Sequence, residues 1–289
     1  MVAAATRAPS IHNTQPWRLT ASADRLEVHF DRDRILPVVD PTHRQQTISC
    51  GVAVEFAAVT LRASGQDVVV DVTPESGDPD HLATIRVVGE RAADEEDRVL
   101  AAAIPERHTT RAPFVTRQVP GELIDRLAAD AAGYGVWTEN VSREDAELVT
   151  VFLLDRAEEA EQSDPAYRAE LEVWLGQRTE QPPAVVPHDA PPPAVERPAV
   201  LLLGTMDDDR AAWVQSGRAL GRVLLRLTAA GLAASPLTQA LDWPATRTRL
   251  RMELSLVGHP QMLLRMGWPS AQATETGRRP VSEVLRTID

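Results

Sequence analysis

The sequence predicts an α+β fold made of two related halves that meet near residue 105. Three observations predict it. Short runs alternate apolar and polar residues with the period of a half-buried strand. Two long segments, 43–65 and 207–231, carry helical patterns, and each stops at or beside a glycine. The order of elements is similar on either side of residue 105, with strands gathered around one long helix. Sequence similarity between the halves themselves is weak.

The elements follow in chain order. RLTASADRLEVHFD (18–31) reads as two short strands around a polar turn, with Leu26, Val28 and Phe30 alternating with Glu27 and His29. Segment 43–65 is rich in Ala and Val on nearly every face, which predicts a buried central helix. Segments 67–75 and 81–90 are two more strands. The acids that open 94–104 suit a helix N-terminus. A helix over 120–135 has Pro in its first turn and Gly at its stop. A strand is expected over 136–141. A helix is expected over 142–160, where Ser142 and Asp145 approximate a capping box. Residues 181–198 hold seven prolines, which excludes helix and inner strand. That segment is a long extended loop: a lid or strap over a site, or a surface loop without a role. The apolar run 198–206 is a central strand and 207–231 a long amphipathic helix. A further helix is expected over 250–258 and a buried strand within 259–269. Residues 276–285 form a basic tail.

Composition narrows the function. Hydrophobic residues make up 43% and charged residues 25%, enough for a sizeable core. Aromatics are only 4%, so that core rests on Ala, Val and Leu, with Trp17, Trp213 and Trp243 expected as anchors. The net charge of −12, without a basic run, argues against nucleic acid and anionic membrane as partners. The single Cys50 cannot form an internal disulfide, which fits a reducing compartment. The start of the chain lacks a signal-peptide core, and no apolar run approaches the roughly 20 residues that span a bilayer. The expected location is cytoplasmic.

Three polar stretches stand out. RHTTRAPF (107–114) offers Arg107, His108, Thr109, Thr110 and Arg111. Guanidiniums with hydroxyls between them suit a phosphate. TGRRP adds Arg278 and Arg279 near the C-terminus. One anion held by both clusters would explain them in an acidic chain; solvated surface arginines are the alternative. PSIHNTQPW (9–17) carries Ser10, Asn13 and Gln15, donors and acceptors without fixed charge, which suit a heterocycle edge or a polyol. Pro9 and Pro16 stiffen it. Its alternative is a capped helix start followed by a core Trp. GLAASPLTQ (231–239) is built of small residues that let backbone approach a flat ring.

Taken together, these stretches resemble the nitroreductase family of flavin enzymes. PSIHNTQPW resembles the family's Pro-Ser-x-x-Asn-x-Gln-Pro-Trp motif at every fixed position. RHTTRAPF resembles its basic phosphate and ribityl motif, with Thr109 where Ser is usual and one extra residue before Phe114. The closing GWP and RRPVSEVL resemble its last strand and basic tail. In ordinary members the basic motif comes first and two subunits share each flavin. Here the order is reversed, which resembles the actinobacterial Acg-like subgroup, where one chain carries two nitroreductase-like halves. The resemblance implies mixed and antiparallel sheets flanked by helices. It also implies two fused half-domains, 1–104 (short at its N-terminus) and 105–289, that mimic the nitroreductase dimer.

The resemblance further implies FMN as cofactor and NAD(P)H as reductant. Arg107, His108, Thr109 and Arg111 would hold phosphate and ribityl chain, with Arg278 and Arg279 adding charge. Pro9, Ser10, Ile11, Asn13 and Gln15 would meet the ring and its pyrimidine edge. Pro236, Leu237 and Thr238 would line the ring near its reactive nitrogen. The flavin carries the chemistry, so no catalytic residue is expected. The acceptor would be a small electron-poor molecule, a nitroaromatic or quinone, and the chain a monomeric pseudo-dimer or weak homodimer. A flavin-storage protein closed by the 181–198 strap is the alternative. A hydrolase built on Ser10 and His12 is disfavoured because no orienting acid is near. The seven histidines show no ligand spacing, so no metal site is expected.

Overall fold

The computed structural model describes residues 1–74, 77–110, 112–141, 161–176, 198–271 and 276–287, together with 153, 155–157 and 159. The predicted helix over 142–160 falls largely outside these residues, as does the strap 181–198 apart from Pro198.

Two sheets form the frame. The first contains β1 (Trp17–Ala21), β2 (Arg25–Phe30), β3 (Gln66–Val72), β4 (His81–Glu90) and β9 (Leu285–Thr287), in the order β3-β4-β2-β1-β9. Its pairs are antiparallel except β1–β9, which is parallel, with Leu19 opposite Leu285. The second sheet is antiparallel, in the order β5-β6-β8-β7, from β5 (Trp137–Asn140), β6 (Ala199–Thr205), β7 (Ala233–Pro236) and β8 (His259–Gly267). The helices are α1 (Val2–Ala5), α2 (Arg44–Ala63), α3 (Glu95–Glu106), α4 (Gly121–Ala132), α5 (Pro165–Gly176), α6 (Arg210–Ala229), α7 (Gln239–Asp242), α8 (Pro244–Glu253) and α9 (Val281–Val284).

Helix α2 packs on the first sheet, α6 packs on the second, and the two helices pack on each other. Residues 44–59 of α2 are all buried: 52–59 is rich in Ala and Val, and the polar first turns are buried with hydrogen-bond partners such as the Gln261 and Leu241 carbonyls that accept from Arg44. The crossing is set by glycines. A Cβ on Gly51 would lie 2.9 Å from Gly217 Cα and 2.3 Å from the Val214 carbonyl oxygen. A Cβ on Gly217 would lie 2.7 Å from Gly51 Cα and 2.0 Å from the Ile48 carbonyl oxygen. The contact is reciprocal: each glycine meets the other helix's glycine and the residue three before it. That is the pattern of an interface between equivalent copies.

Buried charge ties neighbouring helices together. Glu55 of α2 is fully buried and accepts hydrogen bonds from Tyr134 Oη at 2.6 Å and Arg218 Nε at 3.3 Å. Arg222 and Arg226 of α6 pair with Glu96 of α3 and Asp130 of α4. Helix starts are capped as the sequence directs: Asp94 accepts the Asp97 amide at 2.7 Å and Asp209 accepts the Ala212 amide at 2.9 Å.

The structure corrects several expectations. The helix expected over 250–258 is α8, Pro244–Glu253, which starts six residues earlier with Pro244 in its first turn; Ser255 and Gly258 with positive φ follow its end. The basic tail contains α9 and β9, and β9 returns to the first sheet rather than the second. Strand β7 and helix α5 carry no strong periodicity and were not expected. Trp17 is fully buried, whereas Trp213 and Trp243 are only half-buried; Trp213 donates its Nε1–H to Asp208 at 2.7 Å. Cys50 is buried, and burial raises its thiol pKa. Among the described residues, no helix is long and apolar enough to cross a membrane.

Candidate functional site

The Pro-Ser turn is a tight and locally strained structure. His12, Asn13 and Gln15 have φ of 45°, 58° and 49°, the left-handed region that costs a non-glycine residue about 1 kcal/mol or more. Internal hydrogen bonds hold it. Ser10 Oγ accepts the Gln15 amide at 2.9 Å, and Thr14 Oγ1 donates to the Ile11 carbonyl at 2.9 Å. The turn is also fastened to α2: the Ile11 amide donates to Ser49 Oγ at 3.2 Å and Cys50 Sγ donates to the Pro16 carbonyl at 3.2 Å. Pro9, Ser10 and Ile11 stay half-exposed on this support.

The C-terminal arginines meet this turn and take different parts. Arg278 Nη1 donates to Asn13 Oδ1 at 3.2 Å, and Asn13 Nδ2 donates to the Gly277 carbonyl at 3.1 Å. The Arg279 amide donates to Gln15 Oε1 at 2.8 Å, and its Nη1 reaches the Gln15 carbonyl at 3.2 Å and Asp31 Oδ2 at 3.1 Å. Arg279 is thus balanced by buried Asp31, and by Glu283 at 3.6 Å. It braces Gln15. Arg279→Ala should therefore loosen the Gln15 turn more than it changes anion affinity; proteolysis near residue 15 and phosphate titration of one sample check this.

Arg107 lies differently. Its side chain is buried, 5% exposed, and Nε has no hydrogen-bond partner. Its bonds are long: Nη1 to Thr109 Oγ1 and Nη2 to the Arg7 carbonyl, both 3.4 Å. Arg278 Nη2 donates to the same Arg7 carbonyl at 3.4 Å, and Arg7 Nη2 donates to the Pro105 carbonyl at 2.8 Å. Burial pushes the Arg107 guanidinium down to about 9, and the charges of Arg278 and Arg7 push the same way. Among the described residues no carboxylate pairs with Arg107. Three guanidiniums from residues 7, 107 and 278 therefore converge on one place.

Segment 107–110 lies along strand β7. Thr109 bridges Ala234, and the Thr110 amide donates to the Ala234 carbonyl at 3.2 Å. Ala234 is the second residue of β7, the strand that ends at Pro236. Thr109 is exposed; His108 is half-exposed, and its Nδ1 faces the Glu106 carbonyl at 2.8 Å. Phe114 is buried against Gly267, and Arg111 lies outside the described residues. The Leu237 amide donates to the Leu263 carbonyl at 2.8 Å, and the Asp242 amide donates to the Thr238 carbonyl at 3.0 Å. Asp242 Oδ1 accepts from Gln45 Nε2 at 3.0 Å and Arg44 Nη2 at 3.3 Å. The Gln45 carbonyl accepts the Ser49 hydroxyl at 2.8 Å. Since Ser49 holds Ile11, hydrogen bonds link Asp242, through α2, to the Pro-Ser turn.

The four stretches singled out in the sequence thus meet. Sequence reading missed Arg7, Gln45, Ser49 and Asp242. Arg7, just before the Pro-Ser turn, was detectable as a third basic group; the other three sit inside helices whose pattern signals only burial. The structure also brings Glu27, His29 and His81 together from β2 and β4, with potential ligand atoms within 4.8 Å of one another, which sequence spacing could not reveal. The two imidazoles stack at 4.6 Å with planes 20° apart, so their in-plane lone pairs do not converge.

No protein-family model matches the chain. Among proteins of known sequence, it is 38% identical to a Mycobacterium tuberculosis protein provisionally named NAD(P)H nitroreductase Rv3131, over 97% of this chain and 88% of that one. It is 30% identical to NAD(P)H nitroreductase acg of the same organism, also provisionally named, over 97% and 92%. Among solved structures, it is similar to the FMN-dependent nitroreductase NfnB of Mycobacterium smegmatis in complex with NADPH, at 20% identity and a TM-score of 0.46, over 65% of this chain and 97% of that one. The chain belongs to the NAD(P)H nitroreductase family, alongside the Acg protein.

Proposed function

We propose that this chain binds FMN and transfers hydride from NAD(P)H to a small electron-poor acceptor, a nitroaromatic or quinone. One observation carries the reading: buried Arg107, with an unpartnered Nε and, among the described residues, no carboxylate beside it, close to Arg7 and Arg278. A buried cation without an anion is costly, and a phosphate supplies the missing partner. The residues present fit FMN. Arg107, Arg278 and Arg7 would take the phosphate, with the Thr109 hydroxyl beside them. The Pro-Ser turn and Pro236–Thr238 would form the walls at the ring. FMN supplies the hydride-accepting chemistry when bound.

The chain's own residues bind and orient. Asn13, fixed by Arg278 and Gly277, presents a set amide toward the site. Arg279 and Asp31 hold Gln15 and keep the turn in its strained form, a positioning task rather than a charge donated to the ligand. The reciprocal Gly51–Gly217 crossing and the return of β9 to the first sheet support two fused halves, 1–104 and 105–289, that make the site within one chain.

The purified protein is expected to be yellow and to bleach when NADPH is added under nitrogen. A colourless protein that takes up no added FMN would overturn the cofactor assignment. A yellow protein reduced by dithionite but by neither NADPH nor NADH would overturn the oxidoreductase reading. Light scattering on the yellow fraction should give one chain per particle; flavin found only in dimers would count against the fused-halves reading.

A further inference from the structure

We propose that Gln45 and Ser49, one turn apart on α2, are positioning residues that set the spacing between the two walls of the flavin slot, and through that spacing the affinity for FMN. The proposal rests on the FMN reading above. The walls come from opposite halves of the chain: Ile11 belongs to the Pro-Ser turn, and Pro236–Thr238 leads into α7. Both are fastened to the same turn of one helix.

Ser49 holds the first wall. Its Oγ accepts the Ile11 amide at 3.2 Å, and its proton goes to the Gln45 backbone carbonyl at 2.8 Å. A hydroxyl has a single proton, so Ser49 faces the turn as an acceptor only. Ile11 stands directly before the positive-φ residues His12, Asn13 and Gln15. Strained backbone persists only where its surroundings over-determine it, and Ser49 is one of the restraints that reach the turn from outside.

Gln45 holds the second wall. Its Nε2 donates to Asp242 Oδ1 at 3.0 Å. Asp242 ends α7, and the Leu241 and Asp242 amides donate to the Thr238 carbonyl at 2.7 and 3.0 Å. Arg44 adds a tether to the same element, donating to the Leu241 carbonyl at 2.8 Å. Thr238 therefore moves with α7, and α7 with α2.

The two tethers meet at Gln45, whose side chain holds Asp242 and whose carbonyl orients Ser49. Residues four apart share a helix face, about 6 Å from each other along the axis. Gln45 is 2% exposed and Ser49 5%. A buried amide or hydroxyl is costly unless it is hydrogen-bonded. Among the described residues, the partners these two side chains find outside α2 are Asp242 and Ile11, one at each wall. That choice of partners separates a spacer from an ordinary polar group in a core.

The test is equilibrium binding of FMN to the full chain, read by quenching of flavin fluorescence, in the wild type, Ser49→Ala, Gln45→Leu and the double variant. Gln45→Leu keeps the Arg44–Asp242 pair, and alanine suits a helix interior, so both should fold. Each single change should weaken FMN about fivefold, the worth of one neutral hydrogen bond. The double variant should lose about as much as one single change, because freeing either wall already abolishes the spacing. Thr60→Val is the control: it removes a hydroxyl that donates within α2, to the Phe56 carbonyl at 2.8 Å, and should bind like the wild type. At saturating FMN, the visible band of flavin bound to Ser49→Ala or Gln45→Leu should lose fine structure. That shape reports how rigidly the ring is held, and a general loss of stability does not move it. Wild-type affinity and band shape in both single variants would overturn the proposal while leaving the FMN reading intact. Losses that multiply in the double variant would overturn it as well, since the two residues would then act separately. A wild type that binds no FMN would overturn both readings. If Gln45→Leu does not fold, Ser49→Ala against Thr60→Val decides, since each removes one hydroxyl from α2.

Discussion

Gly217→Ala is expected to lower stability by about 3 kcal/mol, at the upper end of the cost of overpacking a core. The added methyl would sit 2.0 Å from the Ile48 carbonyl oxygen and 2.7 Å from Gly51 Cα. Both obstacles are backbone inside a buried helix, so no side chain can swing aside. Helices α2 and α6 would have to separate along the seam that joins the two sheets. Alanine's better helix propensity returns only about 1 kcal/mol. Gly51→Ala should behave alike, because the contact is reciprocal. Gly121→Ala is the control: it lies at the start of α4 with nothing within 4 Å of its added Cβ, and it should be neutral. Thermal melting of the three variants checks this. Equal melting temperatures for Gly217→Ala and Gly121→Ala would show that the helices do not cross at these glycines.

Arg107→Met should weaken FMN binding by roughly 10- to 100-fold, the worth of one charge-assisted hydrogen bond or somewhat more. The same change should leave the flavin-free protein equally stable or more stable. The buried guanidinium carries its charge against burial and against two like charges, and among the described residues no carboxylate offsets it. Replacing such a group by an apolar side chain of similar length relieves that cost. Added FMN should therefore raise the melting temperature of the wild type far more than that of the variant. Arg107→Lys keeps the charge but loses the planar fork and should fall between. A large loss of stability in flavin-free Arg107→Met would show that the residue serves the fold rather than a ligand.

Much of the fold was legible because its signals are local. Alternation in LEVHF, acids at 94–97, Gly65 just past the end of α2 and the apolar run 199–205 each fix an element through its own neighbours. The elements that escaped depend on partners far away in the chain. Leu285–Thr287 is a strand only because β1 offers it a free edge, and Ala233–Pro236 only because β8 does. Pro244 marks a helix start more surely than the apolar residues after it mark its extent.

The site divides in the same way. The sequence by itself determined its chemical parts: the Pro-Ser-Asn-Gln turn, the basic 107–111 stretch and the paired arginines near the end. Their residue types already imply an anion beside a polar ring. Only the tertiary structure decided how charge is distributed among them. Arg278 and Arg279 are adjacent and alike in sequence, yet one joins Arg107 and Arg7 while the other is spent on Asp31 and Gln15. Arg7 and Asp242 gained their places from contacts across about 100 and 200 residues of chain, with Pro105 and Arg44. The physical reason is that side-chain character is a local property, whereas burial and counter-charge belong to the packed molecule.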